Sequence, residues 1–384
     1  MNFLNKYALI LLVFLTSSCS SLDSLRFWQS DEIDPDEPKV LSSFSNQKTI
    51  TIAWKKSFKG ENKMGNFQPD FSSQNLFFSD ITGNVVSINS ETGIENWSSK
   101  LNFLASGTAA GFGIVIVSDI EGNVIALNQN DGSQLWTSNV KGEVLTKAAI
   151  DAKIVVVKTG SGGLIGLEKE TGNIQWSYRS KLPLLTVRGN SSPVIVEDRI
   201  YASFDNGRLA VFEIDSGFPV WDGAISYVSG VSELENLIDS DSSPVIAQQL
   251  IFATNYQGRL TAFDLAQKRP VWNAEASSFH SPVIGNNMLM VIQDDGSILS
   301  FSMTNLSPSW SSEEYLRREL SNGSMQNNLM LVGDLEGYIH VINTLTGITV
   351  GRRKVSGNPI VRIVSFRNLA YVIDQESNIV AVSF

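Results

Sequence analysis

The chain has 384 residues, about 42% of them apolar, which is ample for a large core, and it carries a formal charge of −10 from 29 basic and 39 acidic side chains. That sign argues against nucleic acid or an anionic membrane surface as partner, although solubility alone explains it equally well. A single Cys excludes an intramolecular disulfide.

Residues 1–18 read as a targeting signal. Lys6 supplies a short positive region, Tyr7 to Leu15 a nine-residue apolar core, and Thr16-Ser17-Ser18 a small-residue exit. Nine apolar residues are too few to span a bilayer. The lone Cys, Cys19, follows at once, and the arrangement resembles the lipobox of bacterial lipoproteins, in which the Cys becomes the lipidated N-terminus. Leu15 stands four residues before Cys19 where that pattern has three. The resemblance implies a diacylated and acylated anchor, which meets the need for more than one chain for stable membrane attachment. Ser20, in place of the Asp that marks inner-membrane retention, implies the outer membrane with the protein facing the periplasm. Removal of Lys6 leaves 28 basic against 39 acidic groups, near −11. Residues 19–46, with Asp31-Glu32-Ile33-Asp34-Pro35-Asp36-Glu37-Pro38, are acidic, Pro-bearing and without period, and read as a disordered or extended tether.

From residue 47 onward the chain repeats itself. Gly122 to Trp136 reads as two short strands joined by a tight turn at Asn130-Asp131-Gly132, where Gly tolerates the positive φ required. The unit recurs at Gly83–Trp97, Gly163–Trp176, Gly207–Trp221, Gly258–Trp272 and Gly296–Trp310. A seventh copy starts at Gly337 and turns at Thr346-Gly347, but Val350-Gly351 stands where Trp is expected. An eighth, from Ser377, ends with Phe384 before any turn. Apolar runs such as Ile114–Val117 and Leu329–Val332 precede each unit, and Ser-Pro-Val-Ile segments at 192–195, 243–246 and 281–284 precede some of those. From Trp54 onward the Trp spacings are 43, 39, 40, 45, 51 and 38 residues. Four short strands at a period near ~40–45 residues are the signature of a β-propeller.

Eight third strands with only seven partners, and Trp54 in a strand with no partner of its own, predict the closure. The strand at 50–57 lies beside 378–384, joins the chain ends in one blade and removes a sheet edge. The expected fold is all-β: an eight-bladed propeller of four-stranded antiparallel blades over 47–384.

Three connections that follow a Trp strand break the period: Ser180–Gly189, the stretch from Trp221 through Asp241, and the residues after Trp310. Ser232-x-x-Glu235 and Ser311-x-x-Glu314 look like capping boxes of short helices. Blade-to-blade connections share one face, and insertions confined to one face mark a binding face. The first two connections both end in Ser-Ser-Pro-Val-Ile, so Arg188 and Asp239 occupy equivalent positions in adjacent blades, with Asp241 close by. Spacing leaves two readings open: a surface ion pair worth only ~0–1 kcal/mol, or a docking patch in which Leu184, Leu185 and Val187 flank Arg188.

The Gly-x-[Val/Leu]-x-Ala-Leu-[Asn/Asp]-x-x-[Thr/Asp]-Gly-x-x-x-Trp pattern resembles the pyrroloquinoline-quinone-type propeller repeat. Together with the lipobox, the chain is similar to the propeller lipoproteins of the outer-membrane β-barrel assembly machinery. The most specific segments are Leu185-Thr186-Val187-Arg188-Gly189 and Asp239-Ser240-Asp241 before Ser-Ser-Pro; Val187 departs from a Leu of the family. The resemblance implies that Leu185, Val187, Arg188, Asp239 and Asp241 contact the periplasmic POTRA domains of the barrel-forming subunit. Unfolded outer-membrane protein clients are a further expected partner, and nucleic acid is not.

Quinoprotein dehydrogenases share the repeat, so an enzyme is the alternative, and a propeller holding a small ligand in its channel is a third class. The lipobox uses the only Cys, so a vicinal disulfide is excluded. His280 and His340 lie in different blades, His280 as a channel-facing structural residue and His340 packed or exposed in a strand. No cluster has metal-ligand spacing and no nucleophile motif stands out. Gly160-Ser161-Gly162-Gly163 joins two strands rather than opening a helix, unlike a phosphate loop. The expectation is a protein with no catalytic residue, metal or cofactor.

Overall fold

The computed structural model describes residues 37–62, 66–182, 191–226 and 242–384. Among them stand 32 strands in eight four-stranded antiparallel sheets. Numbered along the chain, blades 1 to 7 cover residues 70–100, 109–139, 149–179, 194–224, 245–275, 283–312 and 324–354. Within each, chain order is sheet order, from the channel outward. Blade 8 takes Ile360–Phe366, Leu369–Asp374 and Asn378–Ser383 from the C-terminus and its outermost strand, Thr51–Ser57, from the N-terminus. Thr51 pairs with Ser383 and Ser57 with Asn378, so the ring closes as the repeat count predicts.

The two middle strands of a blade are covered on both faces by neighbouring blades, and their sequences are correspondingly continuous in apolar residues. Ile114–Ser118 is buried throughout. The outermost strand has only one covered face: in Gln134–Asn139 only Trp136 is buried. Every outermost strand carries a bulge one residue before the Trp position, for example between the pairs Ala126–Trp136 and Leu127–Gln134, and at the equivalent place beside Trp54 in blade 8. A bulge bends the strand and sharpens its twist, which turns the indole toward the next blade. The facing residue is small in most blades: Ser87, Ala126, Gly166, Ala262, Ser300 and Ala381. Large against small fills the layer without overpacking.

Five of the indoles then bond a carbonyl on the outer turn of the following blade. Trp97 Nε1 donates to Gln129 O at 3.0 Å, Trp136 to Lys169 O at 2.8 Å, Trp176 to Ile214 O at 3.0 Å, Trp310 to Thr344 O at 2.8 Å, and Trp54, across the closure, to Ser90 O at 2.9 Å. The ring lies so close to the turn that a Cβ on Gly132 would sit 2.5 Å from a ring carbon of Trp97. Gly is therefore required twice over there, by contact and by φ of +72°.

This contact accounts for the anomalous seventh copy. Gly351 holds the Trp position, opposite Val341. The next blade has no turn for a Trp to land on, because its third strand, Asn378–Ser383, and its fourth, Thr51–Ser57, are not consecutive in the chain. Residues 39–50 fill that place instead. They lie partly in the stretch read from sequence as tether, yet here they are extended and held by a run of contacts described below.

The short helix expected after Trp310 does not form. Residues 314–317 make a turn, and among the described residues there is no helix. The physical reason is the burial of Tyr315, which is fully enclosed, packs on His340 with ring centroids 4.7 Å apart and pairs its hydroxyl with Thr349. Arg317 and Glu319 take positive φ to bring this about, which no helix permits. The helix expected from Ser232-x-x-Glu235 lies outside the described residues.

Candidate functional site

The topology places every connection from an outermost strand to the next innermost strand on one face, together with the turns between second and third strands. Positions 183–190 join blades 3 and 4, and positions 227–241 join blades 4 and 5. Leu184, Leu185, Val187, Arg188, Asp239 and Asp241 fall in these stretches and lie outside the described residues, as does Cys19. The flanks of both stretches are described, and they set where the stretches begin and end.

Both ends of 183–190 converge on one turn of blade 4, at Asp205-Asn206. Asn206 Nδ2 donates to Ser180 Oγ at 3.1 Å and to Lys181 O at 3.0 Å. At the other end, Lys158 reaches across from blade 3. Its Nζ donates to Ser191 Oγ at 2.5 Å and to Ser203 O at 3.0 Å, and lies 3.5 Å from an Asp205 carboxylate oxygen. Lys158 and Asp205 are each only 2% exposed. A buried ion pair persists only when its remaining hydrogen-bonding groups are also engaged, and Lys158 meets that condition through Ser191 and Ser203. Sequence reading missed this residue. The signal was present: Lys158 ends Ile154–Lys158, an otherwise apolar run whose interior position predicts no charge.

The 227–241 stretch is tied in the same way to blade 5. Arg259 N donates to Ser226 Oγ at 3.0 Å, and Ser242 Oγ donates to Thr254 O at 2.7 Å. Ser192 N then donates to Ser243 Oγ at 2.9 Å, joining the two Ser-Ser-Pro segments directly. The structure thus brings the C-terminal flanks of the two stretches together, as their shared register implies. It also gives the first Ser of each segment an architectural role. Ser191 and Ser242 are buried fasteners, as are Ser106, Ser278 and Ser321 in other blades. The third irregular connection, after Trp310, shares the face of the other two by topology and buries Tyr315 and Arg318 within it.

The innermost strands line a channel with a cavity of about 820 Å³. Several of its polar groups are engaged by the protein itself. Lys147 Nζ lies 2.9 Å from Asp70, which also accepts from Ala110 N. Asn322 bonds both the amide and the carbonyl of Ile363. His280 lies against Leu320 O at 2.9 Å; burial first, and the nearby Arg362 second, pull it down to about 4, so it is neutral at physiological pH. Burial alone lowers Arg362 to about 10, and it remains a cation. His280 is thus the channel-facing residue expected from its place beside Ser-Pro-Val-Ile. His340 is fully buried instead, with Nε2 against Asp334 at 3.0 Å and Nδ1 accepting from Arg352 Nε at 3.0 Å. Residues 159–162 join two strands of blade 3, and Thr159 Oγ1 accepts from Gly163 N.

A protein from Vibrio cholerae described as outer membrane protein assembly factor BamB is 38% identical over 293 residues, covering 75% of this chain and 76% of that protein. The crystal structure of BamB from Moraxella catarrhalis superposes with a TM-score of 0.80 at 21% identity, over 88% of this chain and all of that one. The quinohemoprotein alcohol dehydrogenase of Comamonas testosteroni shares the fold at a TM-score of 0.69 and 11% identity, over 88% and 77% of the two chains. Likeness at such identities speaks for the fold alone. The family model described as outer membrane protein assembly factor BamB matches residues 81–312, from the first blade through the sixth. The extent of that match and the identity to the Vibrio cholerae protein together show that the chain belongs to the BamB family.

Proposed function

We propose that this protein is a non-enzymatic, outer-membrane-anchored scaffold of the β-barrel assembly machinery. In this reading residues 1–18 are a signal peptide, Cys19 carries the lipid, and the propeller faces the periplasm on a tether that begins at Cys19. It docks on the POTRA domains of the barrel-forming subunit through Leu184, Leu185, Val187, Arg188, Asp239 and Asp241. Its contribution is to orient those domains and to hold incoming barrel chains near them.

The observation that carries the reading is family membership, whose relatives are described as outer membrane protein assembly factors. The pairing of Ser192 with Ser243 supports a single patch, since it draws together the flanks of the two stretches that bear the six residues. The non-enzymatic part draws support from the channel, where Asp70, Lys147, His280 and Asn322 are all committed to protein partners.

Two comparisons test it. Co-purification from detergent-solubilised envelopes, with partners identified by mass spectrometry, should recover an integral β-barrel with periplasmic domains from wild type and not from Arg188→Glu. Recovery by both would remove Arg188 from the site, and recovery by neither would end the scaffold reading. Cys19→Ala should move the protein from the membrane fraction to the soluble periplasm; an unchanged distribution would refute the anchor.

A further inference from the structure

The stretch from Lys39 to Lys48 makes a dense set of contacts for a chain with no regular structure. Lys39 N donates to Leu316 O at 3.0 Å and Lys39 Nζ to Glu313 O at 2.8 Å, while Arg318 Nη1 donates to Lys39 O at 2.9 Å. Leu41 packs on the core around Tyr315 and Leu320. Ser42 N donates to Glu314 Oε1 at 3.1 Å, and Arg352 Nη1 donates to Ser42 O at 2.7 Å. The Arg352 guanidinium lies 4.9 Å from the Phe44 ring centroid, a cation–π distance. Arg352 N donates to Asn46 Oδ1 at 3.0 Å, and the amides of Gln47 and Lys48 both donate to Val350 O, at 2.8 and 2.9 Å.

Two features show that the receiving surface is built for this segment. Arg318 is only 3% exposed and is held in place by Asp334 and Glu336, so the group that grips Lys39 O is itself rigid. At the other end, Gly351 stands where the other blades have Trp, and a Cβ there would lie 2.9 Å from Lys48 O. The site exists because the repeat is broken at the one blade interface with no turn for an indole.

We propose that residues 39–48 are a latch that fixes the point at which the N-terminal extension leaves the propeller, at the outer edge of blade 7. The flanks of 183–190 and 227–241 lead into blades 4 and 5, three and two blades away around the ring. The extension therefore starts at blade 7, away from the described flanks that lead into blades 4 and 5. The latch also limits reach. The 20 residues from Cys19 to Lys39 span at most about 70 Å when extended, and release back to Ile50 would add roughly 35 Å. This consequence rests on the lipid anchor and docking face proposed above; the latch itself does not.

The test is amide hydrogen exchange on the full mature chain in detergent. Gln47 and Lys48 should exchange at least ~100-fold more slowly than an unstructured peptide. In Gly351→Trp, which restores the repeat residue and occupies the seat of Lys48, that protection should fall at least ~10-fold while the strand Tyr338–Asn343 stays protected. Wild-type amides exchanging at the peptide rate would overturn the latch, as would unchanged protection in a folded Gly351→Trp. Should that variant fail to fold, Arg352→Ala decides: it removes the grip on Ser42 O and Phe44 and should raise exchange and tryptic cleavage after Lys39 and Lys48 by a similar factor, and no rise would reject the proposal. Exchange depends on neither lipid attachment nor partner binding, so its failure is separate from a failure of the assembly reading.

Discussion

Replacing Lys158 by Met tests whether the flank of the first docking stretch is held by a buried charge. Met keeps the length and apolar stem of Lys but removes the ammonium. Asp205, 2% exposed, would then lose the cation 3.5 Å away, and Ser191 Oγ would lose its donor at 2.5 Å. Removing one partner of a buried pair costs about 3–5 kcal/mol, most of it the penalty of the charge left behind. Unfolding entropy near 2.1 cal/mol/K per residue gives about 0.7 kcal/mol/K for a domain of this size, so the melting temperature should fall by about 4–7 °C. Removing the carboxylate charge as well, in Lys158→Met/Asp205→Asn, should recover half or more of the loss. The assay is thermal unfolding followed by tryptophan fluorescence, with amide exchange at Ser191 and Ser192 as local readout. A loss under ~1 kcal/mol, or a double variant no better than the single one, would refute the reasoning.

Gly132→Ala should cost about 2–4 kcal/mol, combining backbone strain at φ +72° with the collision against Trp97. Gly113→Ala, with φ +87° and open space around it, should show the strain alone, so equal losses in urea unfolding would dismiss the Trp contact. His280 makes stability depend on pH. Its unfolded value is 6.5 and its folded value about 4, so the unfolded chain binds the extra proton, and stability falls as pH drops from 6.5 toward 4, by up to about 3 kcal/mol. His340, also lowered chiefly by burial, acts in the same direction; His280→Gln should flatten the dependence in part, and an unchanged slope between pH 7 and 4.5 would contradict the assignment. A chain beginning at residue 58 would expose the edge of Asn378–Ser383, whose Ile379 to Val382 are buried. It should self-associate on size-exclusion chromatography, and a stable monomer would argue against closure by Thr51–Ser57.

The propeller was legible because its repeat is written in physical necessities. A Trp closes the outermost strand, most outer turns need a positive φ that Gly supplies, and the strands covered on both faces must be apolar, so each copy betrays itself at fixed offsets. The unpaired strand around Trp54 and the unfinished copy at Ser377 together implied the closure that Thr51–Ser57 makes with Asn378–Ser383. The candidate site was legible only as register. Equal distance from two Ser-Ser-Pro segments made Arg188 and Asp239 equivalent, and the bond from Ser192 to Ser243 bears out the nearness of those segments' ends. Lys158 was not legible as a partner of Ser191, because 33 residues and a blade boundary separate them.

What the sequence determined by itself is therefore everything that recurs: the blade count, the strand order, the closure, and the side of the ring on which the irregular connections lie. Periodic constraints are local, and each copy supplies an independent reading of them. Only the tertiary structure decided what happens where the period fails. Ser311-x-x-Glu314 looked like a helix start, but burying Tyr315 against His340 required a turn. Gly351 looked like a defect in one blade; it is the seat of Lys48. The acidic stretch before residue 46 looked like free chain to its end, yet Arg318 and Arg352, some 280 to 310 residues later, hold its last part in place. Contacts at such separations leave no periodic trace, since they depend on which surfaces the closed ring brings together.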